Sequence, residues 1–162
     1  MTPGVAHKSD AGLVVLGVPD RDRCEAEATR LLANGSARLL VQPVVKGDTE
    51  ALLGVVTEPG LGRFVVFGLG GIYTEALADT TLLPCAATRD EIADALTRSR
   101  LGAVLASTRG ANKKAFEQML AAIAALAAFA NATDDRLQAI DVNPVLVTDA
   151  DVLGVDALIV LS

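Results

Sequence analysis

Residues 51–68, ALLGVVTEPGLGRFVVFG, decide the fold. Two runs rich in Val, Leu and Phe, 51–57 and 63–68, stand on either side of the turn-forming cluster Glu58-Pro59-Gly60, the pattern of neighbouring strands with a tight connection. A third strand-like run, 38–45, precedes them across Lys46-Gly47-Asp48. Consecutive strands joined this closely predict an antiparallel sheet. Further out, residues 12–17 read as a strand, and the stretch from Arg21 to Ala33 reads as a helix ending at the Asn34-Gly35 stop signal. Thr88-Arg89-Asp90-Glu91 has the Ser/Thr-x-x-Glu form of a capping box and predicts a helix to Arg98. A longer helix is expected over 111–131, with Phe116, Met119, Leu120, Ile123 and Leu126 at three- and four-residue spacing as core residues. Strands over 137–147 and 152–161 close the chain around the Thr148-Asp149-Ala150-Asp151 turn. Strands and helices fall in blocks without strict alternation, so the expected class is α+β, a mixed or antiparallel sheet packed with helices. No internal repeat, low-complexity tract or linker interrupts it.

The 162 residues fit one domain, and a chain of this size buries about 70% of its unfolded surface. Hydrophobic residues are 51% and aromatics 3%, with no Trp, so the core is built from Ala, Val, Leu and Ile. A transmembrane helix needs about 20 mostly apolar residues. The longest apolar run, 119–130, is shorter and Ala-rich, and reads as a buried helix face. The first eight residues, MTPGVAHK, lack the basic start and apolar stretch of a secretory signal, so a cytoplasmic protein is expected, with no membrane partner. Cys24 and Cys85 lie far apart in no metal-ligand spacing and read as isolated thiols. A formal net charge of -6 argues against nucleic acid, which requires clustered Lys and Arg. A small anionic ligand remains compatible, because nearby charges and dipoles set the field at a site.

Four groups of residues can carry chemistry. Phe67-Gly68-Leu69-Gly70-Gly71-Ile72 packs three glycines into four positions after a β-rich stretch; such a run either aims amides at phosphate oxygens or makes a plain tight turn. In Asp141-Val142-Asn143-Pro144, strand alternation puts Asp141 and Asn143 on one face. If the last two strands pair, the carboxylate of Asp156 meets Asn143 around one cation, and a carboxylate plus an amide oxygen is adequate protein ligation for Mg²⁺. The alternative is that Asp141 and Asn143 cap turns near Pro144. His7, the single histidine, is either a phosphate-accepting nucleophile or a solvated side chain near a terminus. Arg109-Gly110 either clamps an anion or is exposed.

Taken in order, His7-Lys8-Ser9-Asp10-Ala11-Gly12, Val41-Gln42-Pro43, Glu50 with Gly54-Val55, the glycine run with Glu75 and Asp79, Arg109-Gly110, Asp141-Val142-Asn143-Pro144 and Val155-Asp156-Ala157 resemble the ATP-grasp part of ADP-forming acyl-CoA synthetases, with succinyl-CoA synthetase a more distant relative. The resemblance covers nearly the whole chain. It implies an ATP-grasp-type subdomain and the reversible conversion of acyl-CoA, ADP and phosphate to acid, CoA and ATP. His7 matches a phosphate-carrying histidine of that family, and Asp141 the carboxylate that orients it. Asn143 and Asp156 match positions holding Mg²⁺ against ATP or ADP, while Gly68, Gly70, Gly71 and Arg109 fall in nucleotide-binding segments. Phosphoryl transfer fits these groups, since it is mostly positioning plus charge neutralisation.

In that family the ATP-grasp region begins well before the position of Met1 with a nucleotide-covering subdomain, so residues 1–162 are expected to be the distal part of the domain. CoA chemistry then requires CoA-binding, alpha-type domains or subunits as partners, and a homo-oligomer is compatible with this. The family pattern has an arginine where Leu83 stands and a glutamate where Ala139 stands. Those departures keep a second expectation open: a non-catalytic ligand-sensing or interaction module of a synthetase-like or lysine acetyltransferase fusion protein.

Overall fold

The computed structural model describes residues 12–35, 37–71, 80–107, 113–148 and 151–162. It divides into two compact units, Met1–Val44 and Val45–Ser162. In the first, helix α1 (Arg21–Ala33) stands as the sequence predicts. Asp20 caps it, its carboxylate accepting the Arg23 amide at 2.8 Å, and it ends at Asn34 before Gly35 in the left-handed region, φ 90. The expected strands at 12–17 and 38–45 do not form. A strand exists only through the ladder it joins, and among the described residues no partner strand faces either segment.

The second unit carries the sheet. Strands β1 (Thr49–Glu58) and β2 (Gly62–Leu69) pair antiparallel from Glu58↔Gly62 to Ala51↔Leu69, confirming the hairpin read from residues 51–68. Helices α2 (Arg89–Arg98), α3 (Arg100–Ser107) and α4 (Lys113–Ala132) follow the edge strand β3 (Thr80–Pro84). The chain closes with β4 (Leu137–Val147), β5 (Val152–Gly154) and β6 (Ala157–Leu161). Among the described residues the sheet order is β3-β2-β1-β4-β5, with β6 also beside β4, and every pairing is antiparallel. The class is therefore α+β, as expected. Two elements escaped the sequence reading. β3 is a five-residue edge strand ending in Pro84, and α3 is an eight-residue helix containing Gly102, so neither carries a long periodic signal.

The expected strand 152–161 is two strands. On β4 the register shifts between Ala51↔Val145 and Leu53↔Val142, so Asn143 and Pro144 together oppose Leu52. This bulge, whose Asn143–Pro144 bond is cis, interrupts the neighbouring edge at Val155 and Asp156.

Strand alternation sends Ala51, Leu53 and Val55 of β1, Val65 and Phe67 of β2, and Ile140, Val145 and Val147 of β4 to one face, where they are buried. Ile92 and Leu96 of α2, Leu101 and Leu105 of α3, and Met119, Leu120 and Ile123 of α4 cover it. Phe116 and Leu126 pack partly buried against that cluster. By length and composition α4 is apolar enough to cross a membrane, and its buried stripe against the sheet accounts for that character. Arg63, entering β2, reaches the end of α4: its guanidinium donates to the carbonyls of Ala130, Thr133 and Asp134. These carbonyls include ones that a helix end leaves without partners.

Charged hydrogen bonds contribute about 1.5–3 kcal/mol each. Arg63→Ala is therefore expected to lower the unfolding free energy by about 3 kcal/mol in urea titration. Arg63→Lys should restore only part, because an ammonium lacks the guanidinium fork. The capping box of α2 makes a pH prediction. Glu91 accepts the Thr88 amide at 2.8 Å, and bonds from Thr88 hold its carboxyl below the ordinary 4.5. A depressed folded pKa stabilises above the unfolded value and the effect is lost as pH falls through the folded one. The destabilisation by Glu91→Ala should thus be full at pH 7 and shrink below about 4.5.

Candidate functional site

Helices α2, α3 and α4 all pack against the first face of the sheet, leaving the second face to the alternate residues. On β1 it presents Glu50, Leu52, Gly54 and Val56, the positions alternating with the buried ones. Asp141 lies directly opposite Gly54 on one side and Leu158 on the other, so its exposed carboxylate shares this face. Gly68 lies opposite Leu52, diagonal to Gly54. Both glycines are buried, so the backbone between β2, β1 and β4 packs closely there. At Gly54 the lack of a side chain is forced, because a Cβ would come within 2.7 Å of the Ile140 carbonyl oxygen.

The bulge brings the other oxygen donors together. The Asn143 amide donates to the Asp156 carbonyl at 3.2 Å, and the Val155 amide to the Pro144 carbonyl at 3.0 Å. Asn143 on β4 and Asp156 in the break between β5 and β6 are thus main-chain neighbours, both exposed. One oxygen of Asp156 accepts the Ala157 amide at 2.9 Å. Among the described residues no three His, Cys, Asp or Glu side chains gather as a metal cluster. One carboxylate and one amide oxygen are donor types that suit Mg²⁺ with phosphate and water completing its shell.

The glycine run does more than turn. Gly68 is inside β2, and the Gly70 amide donates to the Glu50 carbonyl at 2.8 Å, so it is committed to the sheet. A Cβ at Gly70 would lie 2.9 Å from the Ala51 carbonyl carbon. Gly71 adopts φ 66, and a Cβ there would come within 2.7 Å of a Glu50 carboxylate oxygen. Three convergent free amides are therefore not what this run offers. It carries the backbone closely past the start of β1 and bends it toward residues 72–79. That segment, with Glu75 and Asp79, lies outside the described residues, as do His7 and Arg109.

Sequence reasoning named Asp141, Asn143 and Asp156 and overlooked that β1 passes the Ile140 carbonyl too closely for any side chain at Gly54. The signal was an isolated glycine inside a strand pattern, which marks close backbone approach. It also overlooked an open cavity of about 480 Å³ lined by Thr81, Leu83, Ala95, Arg98, Ser99 and Arg100. That cavity lies where β3 meets the α2–α3 junction and shares no residue with the Asp141 face.

Residues 1–161 match the ATP-grasp domain family. The chain belongs to that family. The acetate–CoA ligase [ADP-forming] II subunit beta of Pyrococcus furiosus is 27% identical over 172 aligned positions, taking in all of this chain and 73% of that protein. The acetate–CoA ligase [ADP-forming] I of Archaeoglobus fulgidus is 30% identical, again over the whole chain but only 24% of that longer protein. A dinucleotide-forming acetyl-coenzyme A synthetase 1 from Ca. Korarchaeum cryptofilum shares the fold at a TM-score of 0.86 and 23% identity, covering this whole chain and 74% of its own. It was solved with coenzyme A and Mg-AMPPCP, its phosphohistidine segment pointing towards the nucleotide binding site. This ATP-grasp chain thus spans about three quarters of the beta-subunit relative and about a quarter of the longer ligase.

Any side chain at Gly54 should force β1 and β4 apart. Overpacking costs about 1–3 kcal/mol, so Gly54→Ala is expected to lower the urea midpoint clearly. The same change at Gly60, where a Cβ meets nothing within 4 Å, should cost only what its left-handed φ of +80 imposes.

Proposed function

We propose that this chain is the distal part of the ATP-grasp domain of an ADP-forming acid–CoA ligase, acting in the cytoplasm with CoA-binding alpha-type domains. Its task is phosphoryl transfer between ATP or ADP and a histidine during interconversion of acyl-CoA and acid. One observation carries the reading: the Asn143–Asp156 backbone pair beside the exposed Asp141, in a chain matched end to end by ADP-forming ligases.

In this reading His7 is the phosphoryl acceptor. A neutral imidazole attacks the terminal phosphorus of ATP with one nitrogen, the bond to the bridging oxygen breaks, and ADP leaves with the electron pair. Asp141 accepts the N–H of the other imidazole nitrogen, fixing the tautomer and stabilising the charge that develops on the ring. Asn143 and Asp156 hold Mg²⁺, which when bound neutralises phosphate charge. Gly71 with Arg109 serves the phosphates. The second bond change, from phosphohistidine to the acyl group, belongs to the alpha-type partner.

A second reading has its own support. Leu83 packs against the hydrophobic core and Ala139 pairs with apolar Val56 and Val160, so the positions where the resemblance expects charged groups are built as apolar contacts. A non-catalytic ligand-sensing or interaction module would look like this.

The two readings separate in a labelling experiment. Incubating the chain with its alpha-type partner and terminally labelled Mg-ATP is expected to leave acid-labile label on this chain. His7→Ala should abolish it, and Asp141→Asn should reduce it about 100-fold or more, within the range over which a positioned acid–base group acts. Unlabelled wild-type protein in the reconstituted assembly would transfer preference to the non-catalytic module.

A further inference from the structure

The cavity at the α2–α3 junction shares no residue with the Asp141 face or the glycine run. Its lining of about 480 Å³ is Thr81 and Leu83 on β3, Ala95 and Arg98 on α2, Ser99, and Arg100 opening α3. Two of these side chains are cations, two carry hydroxyls and none is a carboxylate, in a chain whose net charge is -6.

The fold brings the two guanidinium groups to one opening. On a continuous helix, side chains two positions apart point about 200° away from each other. Ser99 interrupts the helix with extended backbone, φ -77 and ψ 160, so α3 leaves in a new direction and both arginines line the same cavity. That junction is fixed. The Ser99 hydroxyl donates to the Leu96 carbonyl at 2.7 Å and accepts the Gly102 amide at 3.0 Å, tying the end of α2 to the start of α3. Leu96 and Leu101 on either side are buried, and a Cβ at Gly102 would collide with the Leu96 carbonyl oxygen. Acidic competition is weak. Asp94 stands 3.9 Å from Arg98, beyond hydrogen-bond distance, with the two side chains 76% and 73% exposed, and such surface pairs contribute little. Glu91, which lines an adjoining opening with Asp94 and Arg98, is held by Thr88.

We infer that this cavity binds a phosphate group, as the free ion or as a phosphomonoester. Guanidinium forks match phosphate oxygens, and a pair of them favours a doubly charged ion over a carboxylate. The Thr81 hydroxyl and the start of α3, where a helix has amides that no helical carbonyl takes up, add neutral donors. Leu83 and Ala95 supply an apolar wall for the carbon body of an ester. The inference is independent of the ligase reading, since it uses neither His7 nor the Asn143–Asp156 pair.

The test is NMR titration of the whole chain with inorganic phosphate, phenyl phosphate and acetate, at constant ionic strength and with a chelator present to keep Mg²⁺ away from Asn143 and Asp156. Both phosphates are expected to shift the Thr81, Arg98, Arg100 and Gly102 resonances together and to bind about tenfold or more tightly than acetate, a difference of about 1.4 kcal/mol. Arg98→Gln and Arg100→Gln should each weaken phosphate binding about tenfold while leaving the urea midpoint in place, because an exposed guanidinium holds little of the fold. Arg136→Gln, a cation elsewhere on the surface, and Asp141→Asn should change nothing. Tighter binding of phenyl phosphate would assign the cavity to an ester, and tighter binding of inorganic phosphate to the free ion. Phosphate binding that survives both arginine changes, equal affinity for acetate, an equal loss with Arg136→Gln, or no shift at these four residues would each overturn the inference. Failure of phosphohistidine labelling with phosphate binding intact would count against the ligase reading alone.

Discussion

One-sided burial of the antiparallel sheet is the constraint on which the rest depends. Val55, Val65, Phe67 and Ile140 turn toward α4 and its neighbours, and almost nothing on that face reaches water. Strand alternation then forces the residues between them onto the opposite face. Asp141 is exposed there because Ile140 and Val142 are committed to the core side. Site and core are thus two readings of one alternation.

The bulge at Asn143–Pro144 modifies that rule at a single place. An extra residue on β4 ends the regular ladder with β5 and β6, and two reciprocal main-chain bonds span the gap to Val155 and Asp156. Bulges re-aim side chains where a regular ladder would only alternate them. Here two oxygen-bearing residues, Asn143 on β4 and Asp156 in the break between β5 and β6, become main-chain neighbours. The proposed magnesium and histidine chemistry rests on this irregularity more than on any cavity. An open cavity of about 480 Å³ lies elsewhere, beside Arg98 and Arg100.

The units differ in how their stability arises. In Val45–Ser162, Arg63 ties the end of α4 to the β1–β2 hairpin, and Thr57 donates to the Leu137 carbonyl at 2.8 Å, so helix, hairpin and β4 are joined at one corner. In Met1–Val44 the local signals are equally good. Asp20 caps α1 and Asn34-Gly35 ends it, yet no side chain is buried among the described residues. Local propensity specifies an element and tertiary burial supplies most of its stability.

Several features followed from the sequence alone. The β1–β2 hairpin was legible in residues 51–68 because a turn cluster and flanking Val, Leu and Phe are local signals. The boundaries of α1 and the Thr88–Glu91 box were legible because caps act within one turn. The motif order from His7 to Asp156 pointed to the family that the comparisons bear out. What the tertiary structure decided depends on partners distant in the chain. Residues 12–17 and 38–45 have strand composition and form no strand, since β structure requires a ladder that composition cannot supply. The break at Val155–Asp156 reflects an extra residue on β4, and the commitment of the Gly70 amide to Glu50 reflects the fold of β1. The need for glycine at position 54 arises from the Ile140 carbonyl 86 residues away, a contact that only folding creates.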